Sequence, residues 1–553
     1  RKIILELELK TAMLSNTRSV YRQRCAVIRP SSCSLSNKAP VVGMARETYG
    51  NWERRAPLIP DHVRELTENG YKVIVQPSNR RVFPDSQYRA AGAEVRNDLS
   101  DASVILGVKQ VPIPNLMDNQ TYMFFSHTMK AQEQNMPLLD ACIAKNVTLF
   151  DYECILNPDN AKRMVGFGEY AGIVGLVDML QGLGQRLLAD GFSTPFLDIS
   201  ACYTKKSLTE VEEMVVSMGL KLKDEGLSEF LDPIVFSFTG DGNVGKGAKK
   251  MFELLPVTMV DPSELPALME KEKGKRQHTV YGCYLGPEHL ARRKDGGAFN
   301  KEEYYKNPSL YEGSFHDTIA PYTTVLVNGM YWDARFPRLL TTEQMSELAS
   351  KDRPCLRAIA DITCDLGGSL EFCKDSTYFE NPYYEWDAVA NQNCSVGHSE
   401  RGVTVLAVDI LPTALPMDAS KHFGDHLLPI LKDLLKAQKL GLPHTPILKP
   451  ALITHDKQLC HNYEYIQQYR EDRERLTRVS SSRHLQSRPH RVLLLQGHLF
   501  DSKFINTALD MVEKKGNFEI MDFIVTSNTS IKRESQVILN VSGESEAVVD
   551  DIV

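Results

Sequence analysis

The sequence contains no run of 18 or more uninterrupted apolar residues; its best stretch, YAGIVGLVDMLQGLGQRLLA, is broken by Asp178 and Arg186. A bilayer-spanning helix needs roughly 20 such residues, so no membrane partner is expected. Positive charge is not in excess either. Lysine and arginine number 64 against 71 acidic residues, a formal charge of −7. Without a basic face the phosphate attraction behind nucleic-acid binding is missing, and no nucleic-acid partner is expected. The eleven cysteines form no CxxC pair and no zinc-type spacing. No metal centre is expected, and scattered thiols of this kind suit a reducing compartment. Acidic residues are absent from Met13 to Arg46, where Arg18, Arg22, Arg24, Arg29 and Lys38 are spread among serines. That composition marks an organellar transit peptide, expected over residues 1–40 and addressed to the mitochondrial matrix.

At 553 residues, 42% of them hydrophobic, the chain is too long for one core and should divide into two or three domains. VVGMARE, YKVIVQP, SVILGVK, TYMFFSH and VTLFDYE read as strands. PDHVRELTENG reads as a helix opened by Pro60 and stopped by Gly70. A long helix over 170–190 leads to a second series, PIVFSFTG, VYGCYLG, TVLVNGMYW, LRAIADIT and VTVLAVDI. Such alternation predicts an α/β fold with two doubly wound, mostly parallel Rossmann-like sheets. The expected layout is a catalytic domain over 41–195 and a dinucleotide-binding domain over 196–412, with a Tyr-, Lys- and Gly-rich insertion at 290–320. Helices over 413–465 should pack back on the first domain. A charged linker (466–490) and a partial α/β unit (491–553) follow.

Two constellations carry chemistry. In FSFTGDGNVGKGAKKMFELLPVTMVDP, Gly240, Gly242 and Gly245 form G-x-G-x-x-G between a strand and a helix. The first glycine turns the chain, the second lets backbone amides approach a pyrophosphate, and the third packs helix on strand. Asn243 and Val244 would open the helix facing the phosphates, and Asp261 is placed at the close of the next strand to hold a ribose hydroxyl. A carboxylate there repels the 2′-phosphate of NADP; Lys246, Lys249 and Lys250 could offset it, so residues alone leave the dinucleotide open. The second constellation is three strand ends: SVILGVK closes on Lys109, TYMFFSH on His127 and VTLFDYE on Glu153. That edge of an open α/β sheet is where ligands bind. Arg54, Arg55, Lys162 and Arg163 add guanidinium and ammonium groups suited to carboxylates, although solvated loop charge is the ordinary reading of such residues.

Longer motifs carry a resemblance. WERRAPLIP, YKVIVQPSNRR, FFSHTMKAQEQNMPLLD, FDYE, GFGEYAG, FTGDGNVGKGA, ADITCDLGGSLEF and VDILPTALPMDASKHFGDHLLP run in the order seen in lysine–ketoglutarate reductases. These are the lysine-forming saccharopine dehydrogenases, which also form the N-terminal half of bifunctional α-aminoadipic semialdehyde synthases. The resemblance covers roughly residues 41 to 435. It implies a fold similar to alanine dehydrogenase and the transhydrogenase soluble domain, and condensation of L-lysine with 2-oxoglutarate to saccharopine. Lys109 and His127 match the family's acid–base pair, Arg55 and Arg163 its carboxylate-holding residues, and Glu153 an acid near the lysine amine. Asn328 and Asp361 are expected to border the nicotinamide or ribose. Fungal relatives carry an acid directly after the catalytic lysine; here stands Gln110, so any tuning by an acid must come from elsewhere. The resemblance implies NADPH, with NADH as the competing choice, and a saccharopine-oxidising domain in a longer form. A homo-oligomer is compatible. The alternatives are an alanine-dehydrogenase-like oxidoreductase and a non-catalytic regulatory fragment.

Overall fold

The computed structural model describes residues 40–350, 355–399, 401–471, 490–497, 517–525 and 535–542. The expected transit peptide, most of the linker and much of the unit after 497 lie outside them. Two compact units result, Val27–Phe125 with Val147–Leu452, and Ser126–Asn146 with Ile453–Val553.

The larger unit holds two sheets. The first is built from β1 (Val41–Met44), β2 (Lys72–Val75), β3 (Glu94–Val95), β4 (Val104–Lys109), β5 (Thr121–Phe125) and β6 (Thr148–Asp151). Their order is β6-β5-β4-β1-β2-β3, and all pairings are parallel. Strands covered on both faces must be apolar throughout, which VILGV and YMFF are.

The second sheet begins with β7 (Val235–Thr239), β8 (Val257–Met259) and β9 (Val280–Leu285). The expected insertion is a hairpin of β10 (Ala291–Arg293) and β11 (Tyr311–Gly313) with its own small aromatic cluster of Tyr304, Tyr311, Phe299 and Phe336. Then come β12 (Val325–Asn328), β13 (Ala358–Asp361), β14 (Tyr383–Asp387), β15 (Gln392–Cys394) and β16 (Val403–Leu406). The order is β15-β14-β16-β13-β12-β7-β9-β8. β14 and β15 run antiparallel at one edge and were not foreseen. Their signal is masked by Glu385, which looks like a loop residue but is buried against Arg186 at 2.6 Å.

Four helices position the sheets: α1 (Pro60–Glu68), α2 (Gly168–Ala189), α3 (Asn243–Phe252) and α4 (Pro416–Leu440). Pro60 opens α1 as its sequence predicts. α2 crosses α3 at glycine distance. A Cβ on Gly172 would stand 1.9 Å from the Val244 carbonyl oxygen, and one on Gly247 2.0 Å from that of Glu169. No larger residue fits, so this crossing fixes where α3 begins. α4 returns to the first sheet: Ser420 Oγ accepts from the Ala56 amide (2.9 Å), and the Phe423 ring stacks on Phe167 at 4.6 Å. Among the described residues, no helix is long and apolar enough to cross a membrane.

In the smaller unit, a helix over Met136–Ala144 is tied by the Arg470 fork on Asp140 (2.5 and 2.8 Å). The Tyr465 hydroxyl donates to the Met129 carbonyl. The strands described after residue 489 form one antiparallel sheet, with Ser535–Ser542 between His490–Gly497 and Asn517–Val525.

Candidate functional site

β4 ends on Lys109, as its sequence predicts. The last two amides of the strand donate to one side chain, Val108 N–H to Glu47 Oε1 (2.5 Å) and Lys109 N–H to Glu47 Oε2 (3.1 Å). Nearby, Arg55 is 4% exposed and forks onto Glu53, with Nε–Oε1 at 2.8 Å and Nη2–Oε2 at 2.6 Å. Its guanidinium lies over the Phe167 ring, 4.1 Å from the centroid. The Lys109 ammonium sits 4.7 Å from the centroid of the Tyr49 ring. Glu47, Glu53 and Arg55 line one small cavity with Ser78 and Arg81.

This packing sets the proton chemistry. Burial draws the Lys109 amine below its ordinary value; Arg55 pushes the same way, while Asp409, Glu53 and Glu47 oppose. Burial pushes the Glu47 carboxyl up to about 8, Glu53 adds to the rise, and the two amides and Arg55 work against it. The acid is raised and the amine lowered, so each is displaced toward neutrality, the direction that general acid–base work favours.

Glu153 lies two residues beyond the end of β6, in a 3-10 turn over Tyr152–Cys154, where the Asp151 carboxylate accepts its amide (2.8 Å). Arg163 Nη2 donates to Glu153 Oε1 at 3.0 Å; the arginine is half exposed and the acid buried. Arg54 and Lys162 are exposed. His127 belongs to the smaller unit. It stands in the left-handed region (φ 54°, ψ 11°), heads the 3-10 turn Thr128–Lys130, and its carbonyl accepts from Asn135 Nδ2 (3.3 Å). A residue other than glycine held there costs on the order of 1–3 kcal/mol, and such strain concentrates at functional sites.

The three glycines of the loop differ in their surroundings. Gly240 has φ +84°, and a Cβ on it would meet the Gly329 carbonyl at 2.5 Å. A Cβ on Gly245 would meet the Gly240 carbonyl at 2.1 Å, so this glycine is required for packing. A Cβ on Gly242 would have nothing within 4 Å. The open space thus lies at Gly242, the N-cap of α3, beside Asn243 and Val244, whose amides have no intrahelical acceptor. A pyrophosphate fits this place by shape and by dipole.

Asp261 lies two residues past the end of β8 rather than closing it. It is exposed, and its Oδ1 accepts from the Ser263 amide (2.9 Å) and hydroxyl (2.6 Å), which hold the carboxyl below its ordinary range. Of the lysines offered as its counterweight, Lys249 lies over the Tyr284 ring at 3.9 Å and Lys250 pairs with Glu212 at 3.1 Å. Asn328 and Asp361 end the adjacent strands β12 and β13 and face each other. Asn328 Nδ2 donates to Asp361 Oδ1 (2.9 Å) and Ser369 Oγ (3.0 Å), and its Oδ1 accepts from Thr239 Oγ1 (2.9 Å). The amide side chain is therefore engaged inside the sheet's end.

Sequence reasoning missed Glu47 and Glu53. Glu47 stands inside VVGMARE and Glu53 inside WERRAPLIP, both read as other things. The one signal was indirect: with Gln110 uncharged, an acid for Lys109 had to come from elsewhere.

Residues 43–174 match the family model of the alanine dehydrogenase/PNT N-terminal domain, and residues 490–553 that of the LOR/SDH bifunctional enzyme conserved region. An α-aminoadipic semialdehyde synthase of Arabidopsis thaliana is 42% identical over 533 residues, 93% of this chain and 49% of that protein. The mitochondrial α-aminoadipic semialdehyde synthase of Mus musculus is 38% identical over 478 residues, 83% of this chain and 51% of that protein. A saccharopine dehydrogenase (NAD(+), L-lysine-forming) of Schizosaccharomyces pombe is 23% identical over 389 residues, 68% of this chain and 89% of that one. The chain spans about half the length of the two synthases. These matches make the chain a relative of the α-aminoadipic semialdehyde synthases over the half of their length that it covers.

Proposed function

We propose that the chain is an oxidoreductase acting on a CH–NH bond, joining L-lysine to 2-oxoglutarate and reducing the product to saccharopine. The observation that carries this reading is the Lys109 amine, drawn down beside the raised carboxyl of Glu47 at the ligand edge of the first sheet. The reaction needs that pairing. The ε-amine of lysine adds to the ketone carbon, water leaves the carbinolamine, and the imine carbon is reduced. Each step before reduction moves a proton on or off nitrogen or oxygen. Lys109 takes and returns those protons, and His127 is carried by the resemblance as the second acid–base group. Arg163, half exposed, holds a substrate carboxylate, with Glu153 behind it near the amine. Arg55 keeps positive charge at the site while locked on Glu53. Gly240, Gly242, Asn243, Val244 and Gly245 would hold the dinucleotide, with Asp261 near its ribose, and the bound cofactor would supply the hydride. It is taken as NADPH, following the resemblance; Asp261 works against a 2′-phosphate, so the test includes both forms.

The reading extends to a mitochondrial matrix location, supported by the acid-free basic segment and by the word mitochondrial in the mouse relative's name. It also extends to a saccharopine-oxidising partner domain in a longer form.

Dinucleotide oxidation is followed by loss of the reduced cofactor's absorbance with lysine plus 2-oxoglutarate, using NADPH and then NADH, against pyruvate plus ammonia. Oxidation that requires both lysine and 2-oxoglutarate is the expected result. Turnover with pyruvate and ammonia alone would sink this proposal and favour the alanine-dehydrogenase-like alternative.

A further inference from the structure

We propose that Glu47 is the positioning residue for Lys109. Its carboxyl group takes over from a neighbouring strand as acceptor for the last two amides of β4, and the bulge so formed fixes where the Lys109 amine stands. This rests on the reading of Lys109 as the proton-transfer group.

The strand pairings carry the argument. β1 accompanies β4 only as far as Leu106: Val42 pairs with Val104, Gly43 with Ile105, Met44 with Leu106, and the Ala45 amide donates to the Leu106 carbonyl (2.9 Å). The chain that carries β1 then turns away, and the amides of Val108 and Lys109 go to Glu47 instead. On the other side, Leu106 pairs with Met123 but Lys109 pairs with Phe125. β4 therefore advances three residues while β5 advances two. That is a β-bulge, and one extra residue changes the face on which each following side chain lies. The bulge thus decides which side of the sheet receives the Lys109 amine.

The surroundings are shaped to this clamp. A Cβ on Gly107 would stand 2.9 Å from the Lys109 carbonyl oxygen and 3.6 Å from Glu47 Oε1, so the bulge needs glycine beside the carboxyl. Glu53, Arg55, Lys109 and Tyr152 are the charged or titratable groups that act on Glu47 or feel it. The raised titration of Glu47 follows from this enclosure. Two amides aimed at one carboxyl hold it in place in spite of burial.

The test uses Glu47→Gln and Glu47→Asp in the full chain, with melting temperatures to establish folding. Gln keeps the volume but offers one acceptor oxygen to two amides; Asp keeps the charge but falls one methylene short. Both are expected to lose kcat on the order of a hundredfold, as misplacement of a reacting group does, while KM for the dinucleotide stays. In a second measurement, acylation of Lys109 is followed by peptide mass spectrometry across pH. Its midpoint should rise in the Gln variant toward that of an ordinary lysine, as the amine relaxes into water. A merely electrostatic role predicts the opposite on both counts. Asp would then restore kcat, and losing the carboxylate in Gln would lower the Lys109 midpoint; either result overturns the inference. The labelling needs no turnover. A wild-type chain without lysine- and 2-oxoglutarate-dependent activity would thus count against the function, and the midpoint would still judge Glu47.

Discussion

At the ligand edge of the first sheet stand Glu47, Glu53, Arg55 and Lys109, four ionisable groups in one largely buried cluster. The same edge of the second sheet carries Gly240, Gly242 and Gly245, with the Asn328–Asp361 pair turned inward. Both sheets are parallel at their centres, and in both the proposed site groups stand at the strand ends. One edge concentrates charge and desolvates it; the other removes side chains so that backbone can approach a ligand. The difference fits the role proposed for each edge. Proton transfer requires groups with displaced titrations, which burial among opposing charges provides. Holding a pyrophosphate requires amides and empty space, which only missing side chains provide.

The sharpest way to break this comparison is to remove the charge from the first edge and leave the second intact. Lys109→Met keeps the length and apolar stem of the side chain but cannot move a proton. We expect kcat to fall by about a thousandfold, within the span of general acid–base catalysis. Dinucleotide affinity, read by titrating cofactor fluorescence, should not change. If the two fall together, the edges are not separate in function and Lys109 serves cofactor binding instead.

The second edge can be divided by its own glycines. Gly245→Ala puts a methyl group 2.1 Å from the Gly240 carbonyl, so the loop must deform and both melting temperature and dinucleotide affinity should drop. Gly242→Ala meets nothing within 4 Å. Its melting temperature should match that of the wild type, while dinucleotide Kd rises by about tenfold, roughly 1.4 kcal/mol, because the methyl group occupies the phosphate's approach. A Gly242→Ala protein that binds the dinucleotide normally would show that the open space is not the pyrophosphate site.

Much of this arrangement was legible in the chain. Periodicity and turn residues located both sheets, and the glycine spacing located the loop, because those signals are local. Lys109 falls at the last residue of its strand as read, whereas Glu153 and Asp261 fall two residues beyond theirs. The reason is that the apolar run ends before the functional turn begins. Glu47 was not legible, since its partners are amides 61 and 62 positions away and backbone amides leave no mark in a sequence. β14 was lost for a related reason. Glu385 becomes a strand residue only because Arg186, Gly397 and Ser399 all donate to it. Long-range polar pairing thus hides both the proposed positioning residue and a structural one.

The smallest expected effect concerns the inward pair of the second edge. Burial pushes the Asp361 carboxyl up to about 6 from an ordinary 3.8, with Thr363 and Asn328 holding it partly down. The folded state therefore binds more protons than the unfolded chain between these values. Stability should fall as pH rises through that window and level off above it, with about 3 kcal/mol at stake for a shift of this size. Asp178, also raised to about 6 by burial, slopes the same way. Asp361→Asn keeps an oxygen for the Asn328 amide and removes the titration. Urea unfolding from about pH 4 to pH 6 should thus be less steep in pH for the variant, by up to about 1.4 kcal/mol per unit. An unchanged slope would mean that Asp361 is ionised in the folded protein throughout. The second edge would then carry a buried charge like the first, and the contrast between the two would be lost.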